Sequence, residues 1–171
     1  MSRGNFYMSS QRFALQGWGI LQDRGGDAEP TPEWPAWSFT HENVGNVGDD
    51  MAGAVSLTHD TSANVRDHVQ STLPNVRLML VASPTCGVSA RSVVCGRHAF
   101  DLTEALVAQI RSTRETNSLR GRLHLFMAAP GGFSFCLGQR QVALGATTLY
   151  EFDFEGARGG SYEAALSLPI S

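Results

Sequence analysis

Residues 52–168 read as an α/β domain built on a mainly parallel sheet with flanking helices. Three observations predict it: apolar runs of strand length, intervening stretches with an apolar residue at every third or fourth position, and regular alternation between the two. Strand, helix, strand, helix, strand, helix, strand, joined by right-handed crossovers, is a Rossmann-like order. Such a fold hosts many functions, so the function has to be read from the site it carries.

The first apolar run is AGAVSL (52–57), followed by THDTS, in which Asp60 or Thr61 is placed to cap a helix. DTSANVRDHVQSTL then sets Val65, Val69 and Leu73 at i, i+4 and i+8, one stripe of that helix, and Pro74 stops it. VRLMLVA (76–82) is almost continuously apolar, as a strand covered on both faces of a parallel sheet must be. SPTCGVSARSVVCG (83–96) reads as a loop with one short strand around 88–94. Asp101 and Glu104 form a capping-box pattern for a helix to about Arg114, with Leu102, Leu106 and Ile110 as its buried stripe. LHLFMA (123–128) is the next strand, and APGGFSFCLGQRQVALG a sharp glycine-rich turn opening into a helix. TTLYEFD (147–153) and YEAALSL (162–168) are the last strands.

Residues 1–51 keep neither period and crowd Gly, Pro and Trp into GWGILQDRGGDAEPTPEWPAW, so they are expected to form an irregular lead-in. Pro30, Pro32 and Pro35 oppose regular structure, while Trp18, Trp34 and Trp37 carry too much apolar surface for a free tail. They are expected to dock on this chain's core or on a neighbouring domain.

The 171 residues carry 13 basic and 16 acidic side chains, a net charge of −3, which argues against a partner held by generic phosphate neutralisation such as DNA. No apolar run reaches the roughly 20 residues needed to cross a bilayer, and the N-terminus lacks the apolar stretch of a secretory signal. A cytoplasmic location is expected. Cys86, Cys95 and Cys136 are odd in number and not closely spaced, so they are expected to be reduced; Cys86, Cys95 and His98 do not match zinc-ligand spacing, and no metal is expected.

Open parallel sheets bind ligands outside the carboxyl ends of their strands. Two such loops stand out. Thr58, His59, Asp60, Thr61 and Ser62 supply hydroxyl and imidazole groups. Ala128 to Ser134 includes Gly131 and Gly132, whose amides at a helix start can seat an anion with no Cβ in the way; the same pair also serves simply to make a tight turn. Phe133 is placed to stack on a base or to fold into the core. Neither the Walker loop nor the dinucleotide fingerprint occurs. His124, inside a strand and on the face of Phe126, reads as a hydrogen-bonded core histidine, and Cys136 as a small buried thiol. No nucleophile, base and acid can be assembled from spacing, so no catalytic residue is assigned.

The segment RLHLFMAAPGGFSFCLGQ (122–139), followed by LYEFD (149–153) and the terminal YEAALSL, resembles the C-terminal part of SAVED domains, the sensor domains of bacterial CBASS antiphage systems. The resemblance rests on His124-Leu125-Phe126, Ala129-Pro130, Leu137-Gly138-Gln139 and Leu149-Tyr150-Glu151-Phe152, in that order at fitting separations. It implies that residues 52–171 form one CARF-like half-domain, either the C-terminal half of a longer protein or one piece of a split system. It implies a cyclic oligonucleotide, a cyclic di- or trinucleotide or oligoadenylate, as ligand. The ligand residues implied are Thr58, His59, Asp60, Thr61, Ala129, Pro130, Gly131, Gly132, Phe133 and Ser134, with glycine amides at a phosphate, Thr58 and His59 donating, and Phe133 under a base. The expected partners are other SAVED units and an effector domain or protein. Two alternatives stand beside this sensor: a ring nuclease using His59 as acid or base, and a ligand-free half that supplies an oligomer interface through its tryptophans.

Overall fold

The computed structural model describes residues 34–153 and 160–169. Strands β1 (Trp37–Asn43), β2 (Asp50–Ser56), β3 (Val76–Pro84), β4 (Leu123–Ala128), β5 (Thr147–Asp153) and β6 (Ser161–Leu168) form one sheet in the order β1-β3-β2-β4-β5-β6. The four central strands are parallel, and β1 and β6 pair antiparallel at the two edges. The helices are α1 (Ser62–Thr72), α2 (Gly96–Thr116), α3 (Gly131–Gly138) and α4 (Gln141–Leu144).

Two cores follow from the two faces of the sheet. On one, Met51, Val55, Leu78, Leu80, Leu123 and Leu125 meet α2, α3 and α4 through Leu102, Leu106, Ile110, Phe133, Leu137 and Leu144. On the other, Ala52, Ala54, Met79 and Phe126 meet Val65 and Val69 of α1, where small residues on β2 let the helix approach. β2 and β4 are apolar almost throughout because both faces are covered. α1 is tied to the edge of the sheet by Arg66, which grips both carboxylate oxygens of Glu42 at 2.7 Å. The Arg66 guanidinium holds the Glu42 carboxyl below its ordinary value.

The expected strands and helices occur, with three corrections. Residues 37–43 are not irregular: they form β1, antiparallel to β3. Trp37 and Phe39 alternate with exposed Ser38 and Thr40 and pack against the core of this chain, and the Trp37 indole N–H donates to the Leu102 carbonyl at 2.7 Å. Trp34 lies against His98 with ring centroids 5.3 Å apart, whereas Trp18 falls outside the described residues. Residues 88–94 form no strand, because β3 itself runs on to Pro84 and the segment after it folds back over the end of β2. α2 begins at Gly96, a turn before the capping-box pattern, so Asp101 pairs with Arg97 at i, i+4 instead of capping.

At the amino end of the sheet, His124 is buried and fully engaged, Nδ1 with the Tyr150 hydroxyl at 2.9 Å and Nε2 with Asp50 Oδ2 at 3.2 Å. Asp50 also accepts the Arg122 amide at 2.7 Å. Burial raises the Asp50 pKa, but hydrogen bonds from Asn75, Arg122 and His124 outweigh it and hold the carboxyl below its ordinary value. This cluster clamps β2, β4 and β5 together at the end opposite the strand-end loops.

Candidate functional site

The strand order creates the site. β2 and β4 lie side by side and parallel, with Ser56 opposite Ala128 at their carboxyl ends. The chain leaving β2 passes to α1 on one face, and the chain leaving β4 passes to α3 on the other. Two adjacent strands whose connections depart to opposite faces leave a crevice between them, the switch point where open α/β sheets hold ligands. Its floor is fixed by the Leu57 and Thr58 amides, which both donate to the Ala128 carbonyl at 2.8 and 2.9 Å. The two loops singled out in the sequence are thus the walls of one crevice.

The walls differ in electrostatics. At the start of α1, Asp60 Oδ1 accepts the Ser62 amide at 2.9 Å, and that hydrogen bond lowers the carboxyl pKa. A carboxylate already occupies this helix start, so the wall is an acceptor of hydrogen bonds rather than a seat for a phosphate. Thr58 Oγ1 and His59 Nδ1 pair at 3.1 Å, and His59 is exposed. Thr61 is buried, its amide donating to Ser56 Oγ at 3.0 Å and its hydroxyl pairing with the same oxygen at 3.0 Å. Thr61 therefore holds the loop and does not face the crevice.

The other wall has unpaired amides at its helix start. The Pro130 carbonyl takes the Phe133 and Ser134 amides at 3.0 and 3.3 Å, whereas the Gly131 and Gly132 amides have no acceptor among the described residues. Pro130, with φ −61°, begins the helix and carries no donor of its own. A Cβ at Gly131 would meet nothing within 4 Å, so this residue stands in open space. Gly132 is buried, and Ala129, Pro130 and Ser134 are half-buried. The expectation that Phe133 supports a base is corrected. Its side chain is 0% exposed within the core, edge-on to Trp37 at 5.8 Å between centroids. Cys136, one turn on, is buried, which pushes its thiol pKa up to about 11.

Sequence reasoning passed over a third element, the loop between β3 and α2. The Leu57 carbonyl accepts the Ser89 amide at 2.9 Å and the Ser92 hydroxyl at 3.0 Å, stapling this loop to the end of β2. It brings Arg91, exposed and without an ion-pair partner among the described residues, to the carboxyl end of the sheet. Arg66, Arg97 and Arg140 are in ion pairs, while Arg77, Arg114 and Arg122 donate to backbone carbonyls. The available signal was positional: a Ser- and Gly-rich segment following a buried parallel strand lies at the ligand end of such a sheet.

Both nitrogens of His98 are engaged, Nδ1 accepting the Val94 amide at 3.1 Å and Nε2 bonded to the Pro35 carbonyl at 2.8 Å, and burial lowers its pKa. Among the described residues no group of His, Cys, Asp or Glu is arranged to hold a metal ion, and no helix is long and apolar enough to cross a membrane. Two concavities, of about 490 and 340 Å³, lie away from the crevice, beside α4 and Pro169 and between β1 and α2.

CD-NTase-associated protein 4 of Enterobacter hormaechei subsp. hoffmannii (strain UCI 50) is 33% identical over 121 residues, covering 71% of this chain and 24% of that protein. Two solved structures of the Acinetobacter baumannii Cap4 SAVED/CARF-domain containing receptor share the fold. The one with the cyclic trinucleotide 2'3'3'-cAAA superposes with a TM-score of 0.55 at 18% identity, over 77% of this chain and 27% of the receptor. The one with 3'3'3'-cAAA gives 0.55 at 19%, over 86% and 32%. The chain thus spans about a quarter to a third of the length of these proteins. Residues 8–168 match the SAVED model, the SMODS-associated and fused to various effectors sensor domain, and the match begins well inside the expected lead-in. The chain is therefore a member of the SAVED family of sensor domains.

Proposed function

We propose that this chain binds a cyclic oligonucleotide, in the first instance a cyclic trinucleotide, in the crevice between the ends of β2 and β4, and that binding favours association with a second SAVED unit and activation of an effector. The observation that carries the reading is the pair of free amides at Gly131 and Gly132, set at the switch point of a sheet that superposes on receptors solved with cyclic trinucleotides. Each phosphodiester of such a ring carries one negative charge, which amides and the positive end of α3 can hold. Every basic residue of the chain is arginine, so added positive charge comes as guanidinium, and Arg91 is the one at this end of the described sheet that is uncommitted. The Asp60 carboxylate is suited to base amines or ribose hydroxyls, and Thr58 and His59 to further hydrogen bonds.

Ala129, Pro130 and Ser134 complete the wall, while Thr61 and Phe133 support it from behind. A ligand shifts assembly only by binding the assembled state more tightly, and a shared site does this directly. Binding without bond cleavage is the proposed activity, in the cytoplasm and independent of DNA or a membrane. At a free ring concentration of about 100 times Kd, linkage adds about 2.7 kcal/mol, a rise in Tm of roughly 5–10 °C. A flat thermal response to cyclic di-, tri- and tetranucleotides would refute the reading. Conversion of the ring to a linear product would favour the nuclease alternative.

A further inference from the structure

We propose that Phe135, not Phe133, is the base-stacking platform of this site. The inference rests on the ring-binding reading above and names a residue outside both predicted loops. Residues two apart on a helix point about 200° apart, so burying Phe133 turns Phe135 outward. Phe133 is 0% exposed and Phe135 is 50% exposed. Among the described residues Phe135 is the only aromatic among the large exposed apolar side chains, the others being Val47, Val88, Val94, Val142 and Leu166.

Its surroundings are as informative as its exposure. Gly131, Phe135 and Gly138 stand at i, i+4 and i+7, one stripe of α3. A Cβ at Gly131 or at Gly138 would meet nothing within 4 Å, so the stripe is open on both sides of Phe135. A helical side chain leans toward the turn N-terminal to its own Cα, which directs the Phe135 ring toward Gly131. Gly131 is one of the two residues at this helix start whose amide is free among the described residues. A ring of nucleotides anchored by a phosphodiester at that amide brings its bases to the same helix start, and a half-exposed aromatic ring there is a surface on which a base stacks. The occupant is therefore a base of the same ligand, continuous with the phosphate seat.

The test uses the chain as described, with 2'3'3'- and 3'3'3'-linked cyclic triadenylate as probes and calorimetry as readout. Phe135→Ala and Phe135→Leu should weaken binding by about 5- to 100-fold, the usual range for one lost base stack, while Phe135→Trp stays within about threefold of the parent. The Tm of the ligand-free protein should move by less than about 2 °C, since an exposed side chain is being changed. A 2-aminopurine-containing ring should be quenched on binding the parent and not on binding Phe135→Ala. Equal affinities for parent, Ala and Leu variants would overturn the assignment and leave the ring-binding reading standing, whereas failure of the parent to bind would overturn both. A change in ligand-free oligomeric state in Phe135→Ala, with affinity unchanged, would make the ring a protein contact and also overturn it.

Discussion

Replacing Phe133 by leucine separates a core aromatic from a ligand-contacting one. The ring is fully buried in the cluster on the α2 side of the sheet and meets Trp37 edge-on at 5.8 Å. Leucine keeps most of the apolar burial but forfeits the aromatic pair, about 0.5–1.5 kcal/mol, and leaves imperfect packing that typically costs up to about 1.5 kcal/mol more. The sum, about 0.5–3 kcal/mol, corresponds to a fall in Tm of roughly 1–12 °C for a chain of this size. Alanine would cost about 3–5 kcal/mol and risk the fold, which is why leucine is the better probe. Thermal unfolding measures the loss, and calorimetric titration with cyclic triadenylate on the same preparation should give a Kd within about threefold of the parent. Unchanged Tm with a tenfold or greater loss of affinity would refute the placement of this ring in the core.

Other outcomes follow from the same geometry. Arg91→Ala should weaken cyclic triadenylate binding by about 3- to 10-fold at low salt, with the gap narrowing at about 0.5 M salt because an exposed charge is screened there; a gap independent of salt would exclude a simple charge contact. Gly131→Ala should leave stability unchanged or slightly raised, since its Cβ enters open space, yet lower ring affinity by crowding the free amide; unaltered affinity would count against a phosphate at that amide. Asp50→Asn should cost about 1–3 kcal/mol at neutral pH by weakening the acceptor of the Arg122 amide and His124. The folded Asp50 pKa lies below its unfolded value, so its contribution is complete above about pH 5 and is lost as pH falls through about 4 toward the folded value. Denaturant unfolding between pH 3 and 7 should therefore show a shallower acid loss in Asp50→Asn than in the parent, and parallel curves would refute the assignment.

What could be read in the sequence, and what could not, divides along a physical line. LHLFMA lies where its apolar run placed it, because a strand buried on both faces must be apolar along its length. Val65 and Val69 face the core because a helix against one side of a sheet needs a single stripe. The meeting of the two loops was legible because the connections that follow parallel strands gather at the carboxyl end of the sheet whatever the side chains. Three features were not. β1 was hidden beside Pro35, since Trp37 and Phe39 form a strand only once β3 offers its edge and Leu102 its carbonyl. The β3–α2 loop gained its role from two bonds to Leu57, more than thirty residues away in sequence.

The orientation of α3 was undecidable locally, because Phe133, Phe135, Cys136 and Leu137 spread apolar surface around most of its circumference. Short-range periodicity and chain direction were enough to place the central strands, the helices that cover them and the loops at the carboxyl end of the sheet. Packing settled which phenylalanine is buried, which amides stay free and that Arg91 is left unpaired at the carboxyl end of the described sheet. Each of those depends on contacts between elements far apart in the chain, where burial and hydrogen bonding are allotted by packing rather than by local pattern.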